Sequence, residues 1–148
     1  MIRTALADDA ASIAHLSTAI GYPNSAEDIL PILLRILNDK AHVVLVFEVS
    51  GSVVGWVHAA EQLNLESGPR CEILGLAVDP DSRRLGIGSQ LVHAAETWAR
   101  RKGFPRIGVK SNATRLESHP FYKQVGFVHV KTQHVYRKSL DAYGDRER

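Results

Sequence analysis

The chain has 148 residues, of which 45% are hydrophobic and 23% charged, and its formal net charge is +2. This length is enough for one domain with its own core, and the small net charge argues against a nucleic-acid-binding surface. The single cysteine excludes an internal disulfide framework, and no apolar run approaches the roughly eighteen residues of a membrane span. With no basic-then-apolar leader at its start, the chain is predicted to be cytoplasmic.

The first forty residues predict an edge strand followed by two helices. Residues 2–5 have the composition of a strand, and either Asp8 or Asp9 is a favourable N-cap for the first helix. Ser25 is a favourable N-cap for the second helix. Pro31 interrupts the pattern of this second helix, so either the helix begins with Pro31 in its first turn or it kinks just before that residue.

A hairpin is predicted next. Residues 42–48 and 52–63 are rich in β-forming side chains, and Val49-Ser50-Gly51 between them is a turn signal, so the two runs should pair antiparallel. Residues 64–70 are polar and contain Gly68-Pro69. We therefore expect a loop there, leading into the following strand.

The stretch from Cys71 to Lys102 has the order strand, loop, helix. Residues 72–78 form a short apolar run, 79–82 are turn residues, and 83–88 are basic and contain two glycines. Apolar residues then recur at helical spacing up to Gly103, which is expected to end the helix.

The basic run with its glycines is suited to a diphosphate. The N-terminus of a helix presents backbone N–H groups that have no partner within the helix, together with the positive end of the helix dipole. Gly86 and Gly88 let a ligand approach the main chain closely, and Arg83 and Arg84 add positive charge. A dinucleotide-binding fingerprint fails because Leu91 stands where a third small residue is needed, and no P-loop motif occurs in the chain.

The last forty residues predict three short strands and one helix. Residues 107–111 have a strand composition, and Ser118 can cap a helix with proline in its first turn. Residues 127–131 and 134–138 are predicted as two final strands. Residues 141–148 are almost entirely polar and are expected to be a frayed tail.

The run Arg83-Arg84-Leu85-Gly86-Ile87-Gly88 matches R/Q-x-x-G-x-G/A, the acyl-coenzyme A pyrophosphate loop of the GNAT superfamily of N-acetyltransferases, which the chain resembles. The preceding EILGLAV strand and VDP turn resemble the family's fourth strand. The later SNATRLESHPFYKQVGF resembles its fifth strand, loop and penultimate helix. The resemblance covers about residues 1–140, and 141–148 would be a tail outside this single domain.

The resemblance implies an α/β fold with a mixed, mostly antiparallel central sheet flanked by helices, in which the parallel strands 4 and 5 splay apart. It implies acetyl-CoA as the acyl donor, with no metal. The thioester oxygen and the pantetheine arm would pair with backbone N–H groups at the end of strand 4. Gly75 either marks a bulge that opens this gap or eases packing, and Asn112 either contacts the pantetheine amides or is a turn residue. The predicted acetyl-CoA contacts are Leu76, Ala77, Val78, Arg83, Arg84, Leu85, Gly86, Ile87, Gly88, Ser89 and Asn112.

Glu72 is the candidate general base. Transfer of an acetyl group from a thioester to an amine needs a neutral amine, a polarised carbonyl and a proton for the departing thiolate. Glu72 is an ionisable residue at the head of an apolar strand, and the resemblance implies that the glutamate at this position removes the amine proton. Two alternatives stay open: Glu72 anchors the substrate ammonium, or it is a structural residue that faces solvent or pairs with Arg70.

Tyr122 is the candidate general acid. It stands in His119-Pro120-Phe121-Tyr122, at the position where the family carries the tyrosine that protonates the thiolate. A phenol with an ordinary pKa of about 10 is protonated at neutral pH and can give its proton to a thiolate. The alternative is a core aromatic residue beside Phe121 and Phe127.

The acceptor is predicted to be a small primary amine. The segments KSNATRLESHPFY and KTQHVYRKSL resemble the small-molecule branch of the family, which includes aminoalkylphosphonate and aminoglycoside acetyltransferases. The resemblance places Tyr22 near the acceptor, and Arg115 or His119 would hold an anionic group of the substrate. The alternative for Arg115 is a solvated loop residue. Two other functions stay open: a protein or peptide N-acetyltransferase, and a non-catalytic acyl-CoA-binding regulatory module.

Other chemistries are disfavoured by the residue pattern. An acetyl-enzyme on Cys71 lacks an activating partner, because the adjacent Glu72 would raise the pKa of the thiol and points to the opposite face of the strand. The seven histidines include no HxxxH or HExxH arrangement, so no metal site is expected. Neither a nucleic acid nor a membrane is expected as a partner, and a homodimer is left open.

Overall fold

The computed structural model describes residues 1–83, 85–111 and 118–141. The chain divides into two compact units, Met1–Lys110 and Ser111–Arg148. Among the described residues, the first unit contains a sheet, three helices and two short 3-10 turns, and the second unit contains a fourth helix. The elements in chain order are β1 (Ile2–Thr4), a 3-10 turn (Ala7–Asp9), α1 (Ala10–Ala19), α2 (Ala26–Leu37), β2 (His42–Val49), β3 (Ser52–Asn64), β4 (Gly68–Val78), a 3-10 turn (Pro80–Ser82), α3 (Ile87–Arg101), β5 (Gly108–Val109) and α4 (Ser118–Gln124).

The sheet has five strands in the order β1-β2-β3-β4-β5. The first four strands form an antiparallel meander, and β5 pairs with β4 in parallel. The hairpin between β2 and β3 turns at Ser50 and Gly51, whose φ angles of 50° and 81° are both positive, as two-residue hairpin turns favour. The predicted α/β class with a mixed, mostly antiparallel sheet is confirmed.

The connection between β3 and β4 differs from the prediction. Residues 64–70 are not a loop, because β3 ends at Asn64 and β4 already begins at Gly68. The side-chain oxygen of Asn64 accepts hydrogen bonds from the Ser67 backbone N–H (2.8 Å) and hydroxyl (2.6 Å), which closes the turn tightly. The polar composition of this stretch therefore belongs to an exposed hairpin end.

Asp9 occupies the N-cap position of α1 but does not cap it through its side chain. Its carboxylate accepts hydrogen bonds from the Arg3 guanidinium at 2.8 and 3.0 Å and from the Leu6 N–H at 2.7 Å. Arg3 also donates to Glu48 at 3.0 Å. Arg3 therefore links β1 to β2 through Glu48 and to the start of α1 through Asp9, and its hydrogen bonds lower the pKa of Asp9.

Ser25 caps α2 as predicted, because its hydroxyl accepts the Asp28 N–H at 3.1 Å. Pro31 lies inside this helix, so the alternative in which the helix begins with Pro31 is wrong. The Ile29 N–H already bonds to the Ser25 carbonyl at 3.1 Å, which starts the helix before the proline is reached. The favourable cap therefore outweighs the hydrogen bond that Pro31 cannot make.

The two faces of the sheet carry separate layers. On one face, α1 and α2 enclose a core, and Trp56 packs against it. The buried residues of this core are Ala5, Ala10, Ile13, Leu33, Val44 and Val46. Gly55 faces the other layer, α3, because neighbouring strand residues point to opposite faces. A Cβ on Gly55 would lie 3.0 Å from Leu91 and 3.1 Å from Ile87. The glycine therefore lets α3 approach β3 closely.

The second unit contains α4, with Pro120 in its first turn and the positive φ of Gly126 after its end, as predicted. The two strands predicted at 127–131 and 134–138 are wrong for this chain, because no described residue after α4 is in a strand. A strand needs a neighbouring edge, and local composition does not supply one. The predicted strand at 107–111 shortens to β5, and most of the predicted tail, 142–148, lies outside the described residues.

None of the described helices is both long enough and apolar enough to cross a membrane.

Candidate active site

An open strand edge lies between β4 and β5. The two strands pair only at Glu72 with Gly108 and Ile73 with Val109. In the C-terminal part of β4, Gly75–Val78 pair with β3 on one side, and no described strand pairs with them on the other. The predicted contacts Leu76, Ala77 and Val78 all lie on this stretch. Its free backbone groups are suited to an extended ligand that pairs like an additional strand.

A bulge in β4 lies where the pairing with β5 stops. His58 of β3 pairs with Gly75 and the next residue, Ala59, pairs with Ile73, so Leu74 is an extra residue. A Cβ on Gly75 would lie 2.6 Å from the Trp56 ring, so no side chain fits there. The two interpretations left open for Gly75, a bulge and a packing contact, are therefore both present in the structure.

The loop after β4 leads directly to the N-terminus of α3. The Asp79 carboxylate accepts the Asp81 N–H at 3.0 Å, and the Asp79 N–H donates to the Val54 carbonyl at 2.8 Å. These bonds hold the loop against the sheet. Gly86 is the N-cap of α3 with φ 75°, a left-handed conformation that favours glycine.

The start of α3 presents its main chain to solvent. The first helical hydrogen bond of α3 runs from the Gln90 N–H to the Gly86 carbonyl at 3.0 Å. The N–H groups of residues 87–89 therefore have no acceptor within the helix. A Cβ on Gly86 would meet only the Gln90 amide, at 3.9 Å. Ile87 is 3% exposed and anchors this end of the helix in the core, whereas Arg83, Leu85, Gly86 and Ser89 are exposed. Arg84 lies outside the described residues.

Glu72 is buried between two cations. It is 7% exposed, and its Oε1 lies 2.8 Å from Arg70 Nη2 while its Oε2 lies 3.9 Å from Lys110 Nζ. The alternative of a glutamate facing solvent is wrong, and the alternative pairing with Arg70 is present. The distance to Lys110 exceeds a hydrogen bond, so Oε2 retains room for another N–H donor.

Sequence reasoning missed a pair of histidines on the face that carries Gly75 and Trp56. His42 Nδ1 and His58 Nε2 are 2.9 Å apart, and the Asp39 carboxylate lies 3.8 Å from His42 Nε2. Burial, and then the neighbouring His42, lower the pKa of His58 to about 4. The two histidines are 16 residues apart in sequence, so only the register of β2 against β3 brings them together.

The low pKa of His58 predicts a pH-dependent stability. An unfolded histidine binds a proton near pH 6.5, whereas His58 in the folded chain binds one near pH 4. The free energy of unfolding is therefore highest above pH 6.5 and decreases as the pH falls toward 4. With allowance for the partial exposure of the ring, we expect a loss of about 1 to 2 kcal/mol across this window. Thermal melts of His58→Gln should show a weaker dependence between pH 6.5 and 4.5. His93→Gln, at an exposed position, should melt with the wild-type slope, and equal slopes in all three proteins would contradict the prediction.

Cys71 is poorly suited to carry an acyl group. It is 2% exposed, and burial, followed by the nearby carboxylates of Glu61 and Glu72, raises the pKa of its thiol to about 11. The thiolate, which is the nucleophilic form, is therefore scarce at neutral pH. This agrees with the interpretation that the chain forms no acetyl-enzyme at this residue.

Replacement of Cys71 by alanine is expected to leave turnover within about threefold of wild type, since the thiol takes no part in the chemistry. The native thiol should also resist a disulfide reagent at pH 8 and react fully after unfolding in guanidinium. Loss of turnover in a folded Cys71→Ala protein, or acetylation of Cys71 seen by mass spectrometry, would reverse this conclusion.

The remaining predicted residues are placed as follows. Tyr122 is half-buried in the second unit, where its ring meets Phe121 and Phe127 edge to face at centroid distances of 5.3 and 5.7 Å. His119 is half-buried in the same helix, and Tyr22 follows α1 and is half exposed. Asn112 and Arg115 lie outside the described residues. No group of three or more His, Cys, Asp or Glu side chains suited to a metal occurs among the residues that the structure describes.

A mixed sheet that opens beside a glycine-capped helix is the arrangement expected of an acyl-CoA-dependent transferase. The acetyltransferase (GNAT) family model matches residues 10–127, and the chain belongs to this family. It is an acyltransferase of the N-acetyltransferase type.

Its relatives include enzymes named for small-molecule acceptors. Over 103 residues, and 68% of each chain, it is 30% identical to the aminoglycoside N(6')-acetyltransferase type 1 of Klebsiella aerogenes. Its structure superposes on the aminoglycoside 6'-N-acetyltransferase AAC(6')-Ig of Acinetobacter haemolyticus with a TM-score of 0.84 at 19% identity, covering 95% and 99% of the two chains. It also superposes on AAC(6')-Iy in complex with the bisubstrate analogue CoA-S-monomethyl-acetylneamine with a TM-score of 0.82 at 21% identity, covering 94% and 97%. These two structural matches show a shared fold.

Proposed function

We propose that the chain transfers an acetyl group from acetyl-CoA to a primary amine of a small molecule, by direct attack within a ternary complex. The observation that carries this proposal is the edge of β4 with which no described strand pairs, directly before the glycine-capped N-terminus of α3. Together they offer backbone donors for an extended pantetheine arm and for a diphosphate. Family membership and the names of the relatives support the same reaction.

The cofactor contacts follow from this arrangement. The pyrophosphate would rest on the N–H groups at the start of α3, where Gly86 leaves the approach open and Arg83 adds charge. The pantetheine arm would pair along Leu74–Val78. A backbone N–H on this stretch would donate to the thioester oxygen, which becomes negative as the amine attacks.

Glu72 is proposed as the base. An alkyl ammonium with a pKa of about 10.4 must lose a proton before it attacks, at a cost of roughly 4 to 5 kcal/mol at neutral pH. Because Arg70 holds Oε1 at 2.8 Å and Lys110 stays at 3.9 Å from Oε2, the second oxygen can accept the amine proton, directly or through water. The nitrogen then bonds to the carbonyl carbon and the C–S bond breaks.

Tyr122 is proposed as the acid for the departing thiolate. Its edge-to-face contacts with Phe121 and Phe127 hold the ring, and the hydroxyl carries the proton that the sulfur needs. Donation of this proton regenerates a neutral thiol on coenzyme A.

The acceptor is proposed to be an aminoglycoside-like amine, because relatives from sequence and from structure carry that name. Tyr22, which is half exposed after α1, is proposed to line the acceptor site. An anionic acceptor held by Arg115 or His119 is a second candidate within the same branch. A cytoplasmic location and a homodimer are part of the proposal.

A screen of acceptors tests the reaction and separates the alternatives. Free-thiol release from acetyl-CoA should be fastest with aminoglycosides, slower with aminophosphonates, polyamines and other small amines, and slowest with peptides. Turnover on peptides alone would favour the protein N-acetyltransferase. Binding of acetyl-CoA by calorimetry, without turnover on any amine, would favour the regulatory module.

The pyrophosphate contact has its own test in Gly88→Val. Gly88 lies in the first turn of α3, and a branched side chain there should obstruct the approach of a diphosphate to the main chain. We expect the acetyl-CoA dissociation constant to rise about tenfold or more, or ~1.4 kcal/mol, by calorimetry. His93→Val, at an exposed position further along the same helix, should bind as wild type does. Undiminished affinity in a folded Gly88→Val protein would place the diphosphate elsewhere.

A further inference from the structure

Lys110 places a primary amine of the chain beside the proposed base. Its Nζ lies 3.9 Å from Glu72 Oε2, and its side chain is 74% exposed, so solvent reaches the amine. Arg70 holds the other oxygen of Glu72 at 2.8 Å. All three residues belong to the unit Met1–Lys110. The oxygen that is proposed to take a proton from an acceptor amine therefore already faces a lysine amine.

The register of β5 places Lys110 where the pairing with β4 stops. Gly108 pairs with Glu72 and Val109 pairs with Ile73, and Lys110 is the next residue of the chain. Paired residues point to the same face of a sheet, and so does the residue two positions further along an extended strand. This is why the side chain of Lys110 reaches the carboxylate of Glu72.

The proposed path of acetyl-CoA ends at the same place. With the pyrophosphate at the start of α3, the pantetheine arm would enter beside Val78 and run back along Gly75–Val78 toward Ile73. The thioester stands at the far end of this arm, so it would arrive where the pairing of β4 with β5 begins. That end of the sheet carries the Lys110 amine and the Glu72 carboxylate.

On the basis of the proposed function, we propose that Lys110 is a site of self-acetylation, which the chain modifies when acetyl-CoA is bound and no acceptor amine is present. The ammonium of Lys110 gives one proton to Glu72 Oε2, its nitrogen bonds to the carbonyl carbon, and the C–S bond breaks. The nitrogen then loses a second proton and the thiolate takes one up. The products are N-acetyl-lysine, coenzyme A and one proton released to solvent, and the positive charge beside Glu72 is removed.

A second lysine of the chain provides a matched comparison. Lys102 Nζ lies 4.0 Å from Glu61 Oε2, so this lysine also has a carboxylate neighbour. Glu61 follows Ala60, which pairs with Glu72, so Glu61 points to the opposite face of the sheet. Proximity to a carboxylate by itself would favour both lysines, whereas the proposed site favours only Lys110.

The first test follows acetylation in the absence of an acceptor. The protein is incubated with acetyl-CoA and digested, and acetylation of each lysine is quantified by mass spectrometry. Lys110 should be modified about tenfold or more faster than Lys102 and the exposed Lys40, and Glu72→Gln should slow Lys110 about tenfold or more while leaving Lys102 unchanged. Equal rates at the three lysines, or a rate at Lys110 that Glu72→Gln does not change, would overturn the proposal.

The second test uses only the wild-type protein, so it does not depend on how the Glu72 variant folds. The rate of Lys110 acetylation should level off as the acetyl-CoA concentration rises, at the dissociation constant that calorimetry gives, and should not depend on protein concentration. A rate that rises with acetyl-CoA without saturating means acetylation from solution. A rate that rises with protein concentration means modification of one copy by another. Either result would refute self-acetylation.

Thiol release with small amines, measured on the same protein, tests the proposed function separately. Rapid release with an unmodified Lys110 in the acceptor-free samples contradicts only self-acetylation. The absence of acetyl transfer to any amine, Lys110 included, contradicts the proposed function as well.

Discussion

Tyr122→Phe is expected to lower kcat by about a hundredfold or more while changing the acetyl-CoA dissociation constant little. The proton for the thiolate is needed only as the C–S bond breaks, so its loss affects the transition state and not binding. The substitution keeps the ring that meets Phe121 and Phe127, so the fold should be preserved. Stopped-flow or steady-state thiol release, with calorimetry for binding, measures both quantities.

The leaving group provides a sharper test of the same role. An acetyl thioester of a more acidic thiol needs less help from an acid, so the difference between wild type and Tyr122→Phe should shrink with such a donor. Tyr136→Phe, at an exposed position after α4, should retain wild-type kcat. Equal kcat for Tyr122→Phe and wild type at saturating substrates would remove the acid role from Tyr122.

Glu72→Gln is expected to lower kcat/KM by about a hundredfold or more near neutral pH, because an amide cannot accept the amine proton. The loss should shrink as pH rises toward the pKa of the acceptor amine, where the neutral amine is already abundant. A pH profile of thiol release from pH 6 to 10 measures this convergence. This convergence distinguishes a general base from the two alternatives for Glu72, an ammonium anchor and a structural residue.

Each alternative for Glu72 predicts a different outcome. An ammonium anchor would raise KM with kcat nearly unchanged, and a purely structural partner of Arg70 would lower the melting temperature with little effect on the shape of the profile. Glu61→Gln is the matched control, because Glu61 is a partly buried carboxylate on the neighbouring strand, 4.0 Å from Lys102. A Glu61→Gln protein as slow as Glu72→Gln would show that the effect is general and not specific to the base.

The sequence alone predicted the parts of the molecule whose chemistry is local. The turn at Ser50-Gly51, the Ser25 cap and the strand, loop and helix order around Gly86 each depend on a few neighbouring residues. Positive φ angles, side-chain caps and helix N-termini need no distant partner, so residue types and spacing are enough to indicate them. The family resemblance rests on the same local run, and the family is confirmed.

Prediction from the sequence failed where the structure of a segment depends on a partner far away in the chain. Residues 64–70 have loop composition, yet Asn64 closes a tight turn because β3 and β4 continue to pair on both sides of it. Residues 127–131 and 134–138 have strand composition, yet a strand forms only where another edge is available. Composition describes what a segment favours, and it does not describe which backbone lies beside it.

The candidate site also has features that the sequence predicted and features that only the tertiary structure revealed. Sequence alone named Glu72 and the glycine run, because each lies in a recognisable local pattern. Only the tertiary structure placed Lys110 at 3.9 Å from the Glu72 carboxylate, stacked His58 on His42, and ended the β4–β5 pairing at Ile73. These features depend on strand register, which is a relation between segments far apart in the chain and is set by the packing of the two helical layers on the sheet.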